Sequence, residues 1–263
     1  MPSVQLAWKR RLGQLYQWLP TYGDRRVILI YHSIGSTPFA LPERAFRAQI
    51  DWLIANAKVV SLEKILDDSN PSGLVVAISF DDGYQSIYKL VAPILKQAEL
   101  PASVYLNSMW IGDEQRLPSD FNRGHYPGEE FLLWNEVVQL REFGWTIGSH
   151  GADHVDLTLL PETEVFTQLT RSKATIEERL DSSCIHFAYT WGHHNRRVRA
   201  AVAECGYSWA VAAVHGVVSP TVDRYAVPRI DIRNDYKLED FIAIVRGEWD
   251  YLRLLQRTRR LLR

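Results

Sequence analysis

Leu74-Val75-Val76-Ala77-Ile78-Ser79-Phe80-Asp81-Asp82-Gly83-Tyr84 is a short, β-branched apolar run that ends in two adjacent acids and a glycine. Such a run fits a buried parallel strand, and Gly83 lets the backbone turn sharply after it. The two carboxylates then sit at a strand's carboxyl end, where α/β folds place their chemistry. Successive strand side chains point to opposite faces, so Asp81 and Asp82 are expected to face differently and do different work. Adjacent carboxylates repel unless a cation or a shared proton relieves them. Taken alone, the Asp-Asp-Gly turn reads equally well as a cap for the helix beginning near Ser86.

A second stretch changes that balance. Trp145-Thr146-Ile147-Gly148-Ser149-His150 is another short strand, followed by Gly151-Ala152-Asp153-His154. Gly151 breaks helical geometry, so the histidines belong to a strand end and a tight loop. With one carboxylate they form a two-His-one-carboxylate set, which suits zinc with open positions for water and substrate. A His pair alone is more often structural; beside an acidic strand end it favours a metal.

Working outward, further strands are expected at Val27–Tyr31, Val59–Val60, Ala102–Leu106, His186–Tyr189, Ser208–Ala213 and Val227–Ile232. Helices are expected from Pro42 to Ala57, Leu62 to Leu66, Ile87 to Ala98, Leu132 to Phe143, Glu162 to Leu180, Arg196 to Cys205 and Leu238 to Val245, Pro93 kinking the third or lying near its start. This alternation means an α/β fold with a mostly parallel sheet; it does not separate a closed barrel from a doubly wound open sheet. Residues 108–130 form a long polar loop after a strand, placed to wall or cover a site.

A hydrophobic content of 46% over 263 residues supports one large core. The net charge of −1 gives no argument for a nucleic-acid partner. Cys184 and Cys205 lack metal-site spacing and suggest no disulfide framework. No apolar run reaches the ~18 residues of a spanning helix. Lys9, Arg10 and Arg11 interrupt any signal-peptide core, so a cytoplasmic location is expected. Trp8, Leu12, Leu15, Tyr16 and Leu19 share one face of an N-terminal amphipathic helix within residues 1–26. The catalytic domain is expected over 27–247, with a basic helix over 248–263. In that tail Tyr251, Leu255 and Leu262 share an apolar face among Arg253, Arg257, Arg259, Arg260 and Arg263, a pattern suited either to docking on the domain or to an anionic membrane surface.

Ser79-Phe80-Asp81-Asp82-Gly83 resembles the first motif of the polysaccharide deacetylases of the NodB-homology type, carbohydrate esterase family 4. His150-Gly151-Ala152-Asp153-His154 resembles their second motif, with Gly151 in place of the usual Ser or Thr. Phe187-Ala188-Tyr189-Thr190-Trp191-Gly192 resembles the third, with Thr190 in place of the usual Pro. The resemblance runs from about Val27 to Ile232. It implies a distorted (β/α) barrel, often of seven strands, and removal of acetyl groups from an N-acetylated sugar, polysaccharide or lipid-linked glycan.

Amide hydrolysis needs an activated water, a place for the oxyanion and a proton for the departing amine. A divalent metal, here expected to be zinc, supplies the first two. Asp82, His150 and His154 are the expected ligands, which leaves Asp81 as general base. His32 is the first candidate for the general acid, because Tyr31-His32 matches one branch of the family. His215 is the rival, since the family's more usual acid is a histidine near the domain's C-terminal end. Tyr84, Tyr189 and Trp191 are expected beside substrate or oxyanion. Arg229, in Pro228-Arg229-Ile230-Asp231, either orients the base or pairs with Asp231. Alternatives are a deformylase or other small-amide hydrolase on the same fold, and an inactive carbohydrate-binding relative. A non-haem iron oxygenase also uses two His and a carboxylate, but the second Asp beside the ligand favours hydrolysis.

Overall fold

The computed structural model describes residues 4–16, 24–67, 72–120 and 123–253. Its strands are β1 (Arg25–Tyr31), β2 (Lys58–Val59), β3 (Leu74–Phe80), β4 (Ser103–Leu106), β5 (Thr146–Ser149), β6 (His186–Ala188), β7 (Trp209–Ala212), β8 (Val227–Pro228) and β9 (Ile230–Asp231). The helices are α1 (Val4–Tyr16), α2 (Glu43–Asn56), α3 (Leu62–Asp67), α4 (Ala92–Gln97), α5 (Trp134–Glu142), α6 (Glu162–Leu180), α7 (Arg196–Glu204) and α8 (Leu238–Arg246). The expected helix from Ile87 to Ala98 opens with a wide π turn, Ile87–Val91, before α4. Pro93, which lacks an N–H, stands at that junction.

All the paired strands run parallel, in the order β8-β7-β6-β5-β4-β3-β1-β9, with β2 beside β3. The two ends of this path, β8 and β9, are separated along the chain by Arg229 alone. Residues 227–231 therefore close the sheet into a barrel, pairing with β7 through Val227 and Pro228 and with β1 through Ile230 and Asp231. The path holds eight strands, one more than the seven the resemblance implies, because this closing segment is split at Arg229. Pro228 offers no ladder donor. The Arg229 N–H bonds to Ala212 O at 3.1 Å on one side, and the Ile232 N–H to Ile30 O at 3.0 Å on the other.

Side-chain alternation sorts the core into two layers. On β1 and β3, Val27, Leu29, Tyr31, Val76, Ile78 and Phe80 pack outward under the helices. Ile28, Val75 and Ala77 face the barrel interior with Tyr105, Ala188, Val211 and Val227, and Leu62, Ile65 and Leu66 of α3 plug its lower end. Ser79 and then Asp81 continue the inward series of Val75 and Ala77.

The N-terminal helix is docked on the domain. Arg10 makes a bidentate pair with Asp240 of α8, at 2.7 and 2.5 Å. Tyr251 donates its hydroxyl to Lys9 O at 2.7 Å. Leu6 is buried and Leu12 partly so, whereas Trp8, of the same expected apolar face as Leu12, is 60% exposed. The helix is held through Leu6 and the ion pair, which rotates Trp8 outward. Leu15, Tyr16 and Leu19 of the expected stripe fall on side chains outside the description. Trp249 and Tyr251 belong to the core, so Tyr251 does not present an apolar face to a membrane; the tail from 254 onward lies outside the described residues. Among the described residues no helix is long and apolar enough to cross a membrane. Both cysteines are free.

Gly13 tests this docking. A Cβ there would lie 2.6 Å from Nε1 of Trp249, whose buried ring is itself set edge-on against Tyr236 and cannot easily yield. In an exposed helix Gly→Ala gains about 1 kcal/mol, but overpacking costs about 1–3 kcal/mol. Gly13→Ala is therefore expected to lower stability in denaturant titration despite its better helix propensity; a gain would mean that α1 does not pack as described.

Candidate active site

Three neighbouring strands bring their carboxyl ends together here. Asp81 and Asp82 follow β3, Asn107 follows β4, and His150 follows β5 with His154 in the next turn. Asp82 and His154 both adopt left-handed backbone, φ 72° and 53°, and so do Gly83, next to Asp82, and Gly151, in the turn before His154. These turns lift Asp82 out of the strand's alternation and bring His154 back over the site.

The result is a buried cluster in which a carboxylate oxygen or ring nitrogen from each of Asp82, His150 and His154 lies within 4.8 Å of the others. Oδ1 of Asp82 is 3.6 Å from Nε2 of His150 and 3.3 Å from Nε2 of His154. Nδ1 of His150 bonds to the carbonyl of Ala188 at 2.7 Å; as its donor, Nδ1 leaves the Nε2 lone pair directed at Asp82. Asn107 donates to Oδ1 of Asp82 at 3.2 Å. Burial pushes the His154 imidazole down to about 4, against the pull of Asp82, so it is neutral at pH 7 and able to donate its lone pair. Burial raises Asp82, but the pull of His154, His150 and His32 in their protonated forms outweighs it and holds the carboxyl below its usual range. Two imidazoles and a carboxylate, one imidazole fixed from behind, are a donor set that fits a divalent cation of the zinc type.

Asp81 faces the other way. Its two oxygens accept from Nη1 and Nη2 of Arg229, each at 2.7 Å. Nη1 also reaches Ser79 Oγ at 3.1 Å, and the guanidinium carbon lies 5.0 Å from the Tyr105 ring centroid. Arg229 is fully buried. Burial would raise the Asp81 carboxyl, but Arg229 outweighs it and holds it at about 2. Of the two partners expected for Arg229, its hydrogen bonds go to Asp81 and none is made to Asp231.

The remaining sequence candidates separate. His32, half-buried after β1, lies within electrostatic reach of both aspartates. His215 does not reach the site. Its Nε2 pairs with Asp250 at 3.1 Å, and Asp250 holds Arg25 at the beginning of β1, the end of the barrel opposite Asp81. The chain after β7 turns back down the barrel, so Val218 N–H meets Arg26 O. Tyr84 is buried against Phe131 and Tyr126, with its hydroxyl on Gly124 O and within reach of the Asp82 carboxylate. Tyr189 is buried with its hydroxyl on Tyr225 O at 2.9 Å. Trp191 stays at the rim, 49% exposed, its ring 4.7 Å from that of His154.

The loop after β4 forms the expected wall. Glu129 ties it down by accepting from Ser33 Oγ at 2.6 Å and from the Ser86 N–H at 3.1 Å. It carries Trp110 to 5.3 Å and His125 to 6.1 Å from the His154 ring, and stacks Tyr126 on His32 at 6.2 Å. Asn107, His125 and Tyr126 were not identified as site residues from sequence. Asn107 alone carried a usable signal, a polar residue just past a strand's carboxyl end.

A family model for polysaccharide deacetylase matches residues 68–210, more than half of the chain. The chain belongs to the polysaccharide deacetylase family. It is 25% identical over 222 residues to YxkH of Bacillus subtilis (strain 168), a protein assigned to the polysaccharide deacetylases, covering 82% of this chain and 74% of the relative. It is 22% identical over 210 residues to the poly-β-1,6-N-acetyl-D-glucosamine N-deacetylase of Staphylococcus aureus (strain MRSA252), covering 75% and 69%. Among solved structures, IcaB from Ammonifex degensii has the same fold at TM-score 0.74 and 22% identity, covering 86% of this chain and 98% of that one. The Streptococcus pyogenes deacetylase PplD, in complex with acetate, matches at TM-score 0.73 and 20% identity, covering 85% and 99%.

Removing one partner of a buried ion pair costs about 3–5 kcal/mol, so Arg229→Met is expected to destabilise the enzyme by about that amount. Wild-type Asp81, depressed to about 2, contributes stability above its unfolded value near 4 and loses it as pH falls through about 2. Without Arg229, burial raises the carboxyl instead, and a raised acid costs stability once ionised. The variant's deficit should therefore narrow between about pH 7 and about pH 4. Denaturant titrations at both pH values check this, and a deficit that widens on acidification would contradict the assignment.

Proposed function

We propose that the protein is a metal-dependent deacetylase that hydrolyses the N-acetyl groups of an N-acetylated glycan. The observation that carries this reading is the pairing of a buried two-His-one-carboxylate cluster with an adjacent, differently oriented aspartate. Family membership supports the reaction class, and the staphylococcal relative's named activity on poly-β-1,6-N-acetyl-D-glucosamine supports an acetylated amino sugar as substrate.

In this proposal Asp82, His150 and His154 hold a divalent ion, zinc by donor type, which when bound supplies a low-pKa water and polarises the acetyl carbonyl. Asp81 is the general base. Arg229 makes it a weak base by depressing it, but keeps it ionised at neutral pH and fixes its orientation. His32, on the other flank, is the general acid that delivers a proton to the departing amine. Trp191 stands at the rim where the sugar enters. Deformylation of the same kind of amine remains the second reading, since a formyl carbonyl would meet the same groups.

Acetate release from an N-acetylglucosamine oligomer, followed with and without chelator, tests the reaction. Loss of one acetyl mass that needs metal is expected; hydrolysis unaffected by chelator would remove the metal from the proposal. The Asp82→Ala, His150→Ala and His154→Ala triple variant should bind no stoichiometric metal by elemental analysis. Zinc retained by that variant would place the metal elsewhere.

Asp81→Asn keeps size but cannot accept a proton. It should retain metal and lose turnover by roughly 10²–10⁴-fold. Metal loss in that variant would mean that the two aspartates' roles are exchanged. His32→Gln should likewise keep metal and lower kcat; unchanged kcat would end its role as the acid.

A further inference from the structure

Arg229 is anchored to Asp81 along one edge of its guanidinium. Nη1 and Nη2 bond to the carboxylate, and Nη1 also to Ser79 Oγ. The buried Nε meets no acceptor among the described residues. A guanidinium held by one edge can still hinge about that edge, so what lies against its face matters. That face meets an aromatic ring. The guanidinium carbon is 5.0 Å from the Tyr105 ring centroid, inside the ~6 Å over which a ring face attracts a cation.

Tyr105 belongs to β4, across the barrel from the seam that carries Arg229. It is fully buried and faces the interior with Ile28, Ala77, Ala188 and Val211. In the β4–β5 ladder its partner is Gly148. A Cβ at Gly148 would lie 2.5 Å from Cδ1 and 2.6 Å from Cε1 of the ring. A glycine inside a strand often marks such a close approach, and this one makes room for the ring. The Tyr105 hydroxyl meets no hydrogen-bond partner among the described residues. Burial pushes its phenol well above the ordinary value, against the pull of Arg229. Tyr105 therefore stays neutral and offers Arg229 an aromatic face rather than a charge. In a water-free interior that attraction is stronger than at a surface.

We propose that Tyr105 is a positioning residue for the hydrolysis: its ring face steadies the Arg229 guanidinium on Asp81 and so fixes the general base. The residue touches neither the metal ligands nor the substrate and acts through Arg229. Its role in turnover rests on the function proposed above; the contact with Arg229 is tested without it.

The test is Tyr105→Phe in the full-length protein, made also with mono-, tri- and pentafluorinated phenylalanine at that position. Fluorination keeps the ring's shape and drains the negative potential from its face. Tyr105→Phe should keep kcat within about twofold, since only an unpartnered hydroxyl is lost. Along the fluorinated series kcat for acetate release is expected to fall stepwise, by about tenfold at full fluorination, with KM and bound metal unchanged. Denaturant titrations of the same series, repeated with Arg229→Met, read the contact apart from activity. Stability should fall with fluorination only where Arg229 is present, because the cycle cancels the change in packing. The proposal is overturned if kcat is flat along the series, if Tyr105→Phe alone loses as much as full fluorination, if the change lies in KM or metal content, or if stability responds alike with and without Arg229. An Arg229-dependent stability response in a protein that releases no acetate would uphold the contact and remove the deacetylase reading instead.

Discussion

A carboxylate and a guanidinium sealed inside a parallel barrel persist only if each satisfies the other. Asp81 and Arg229 do so through two hydrogen bonds of 2.7 Å. Arg229 is also the residue that splits the closing segment into β8 and β9, so the residue that orients Asp81 lies within the segment that closes the barrel. Removing it would leave a buried charge at the site and alter the seam at once. With Asp81 committed inward, its neighbour Asp82 is left to the histidines, and the repulsion between adjacent acids is relieved by giving each a different positive or polar partner.

The rim depends on a second constraint. Phe39, Asp82, His125, His154 and Trp191 all have positive φ between 51° and 72°. None is glycine, and all belong to the cluster or the walls around it. The loop after β4 is held to the barrel by Glu129, which allows His125 and Tyr126 to stand over the site without secondary structure of their own. Among the described residues the other two non-glycine residues with positive φ, Glu99 and Asp181, follow helices at the opposite end of the barrel, so most of the strained positions gather at the end that carries the cluster.

Much of this was legible along the chain because it depends on local pattern. The apolar run before Asp81 gave the strand, and its period of two the inward facing of Asp81; the different facing of Asp82 comes instead from its left-handed backbone at φ 72°. The break at Gly151 correctly placed His150 and His154 on a strand end and a turn. His215 was placed by chain position, and a partner distant in sequence holds it at the other end of the barrel; the hydroxyls of Tyr84 and Tyr189 likewise meet partners distant in sequence. Tyr84 points to Gly124, Tyr189 to Tyr225 and His215 to Asp250. Nothing local to those residues announces such partners.

The sequence by itself determined the alternation of strands and helices, the parallel sheet, and the acids and histidines at strand ends, since each follows from neighbours a few residues apart. Only the tertiary structure decided that the sheet closes, because closure depends on residues 227–231 meeting both β1 and β7. It alone decided that Arg229 serves Asp81 rather than Asp231, and that Trp8 turns outward while Leu6 packs. Those outcomes are set by contacts between segments some 150 to 230 residues apart, such as Arg229 with Asp81 and Arg10 with Asp240, and no local periodicity encodes them.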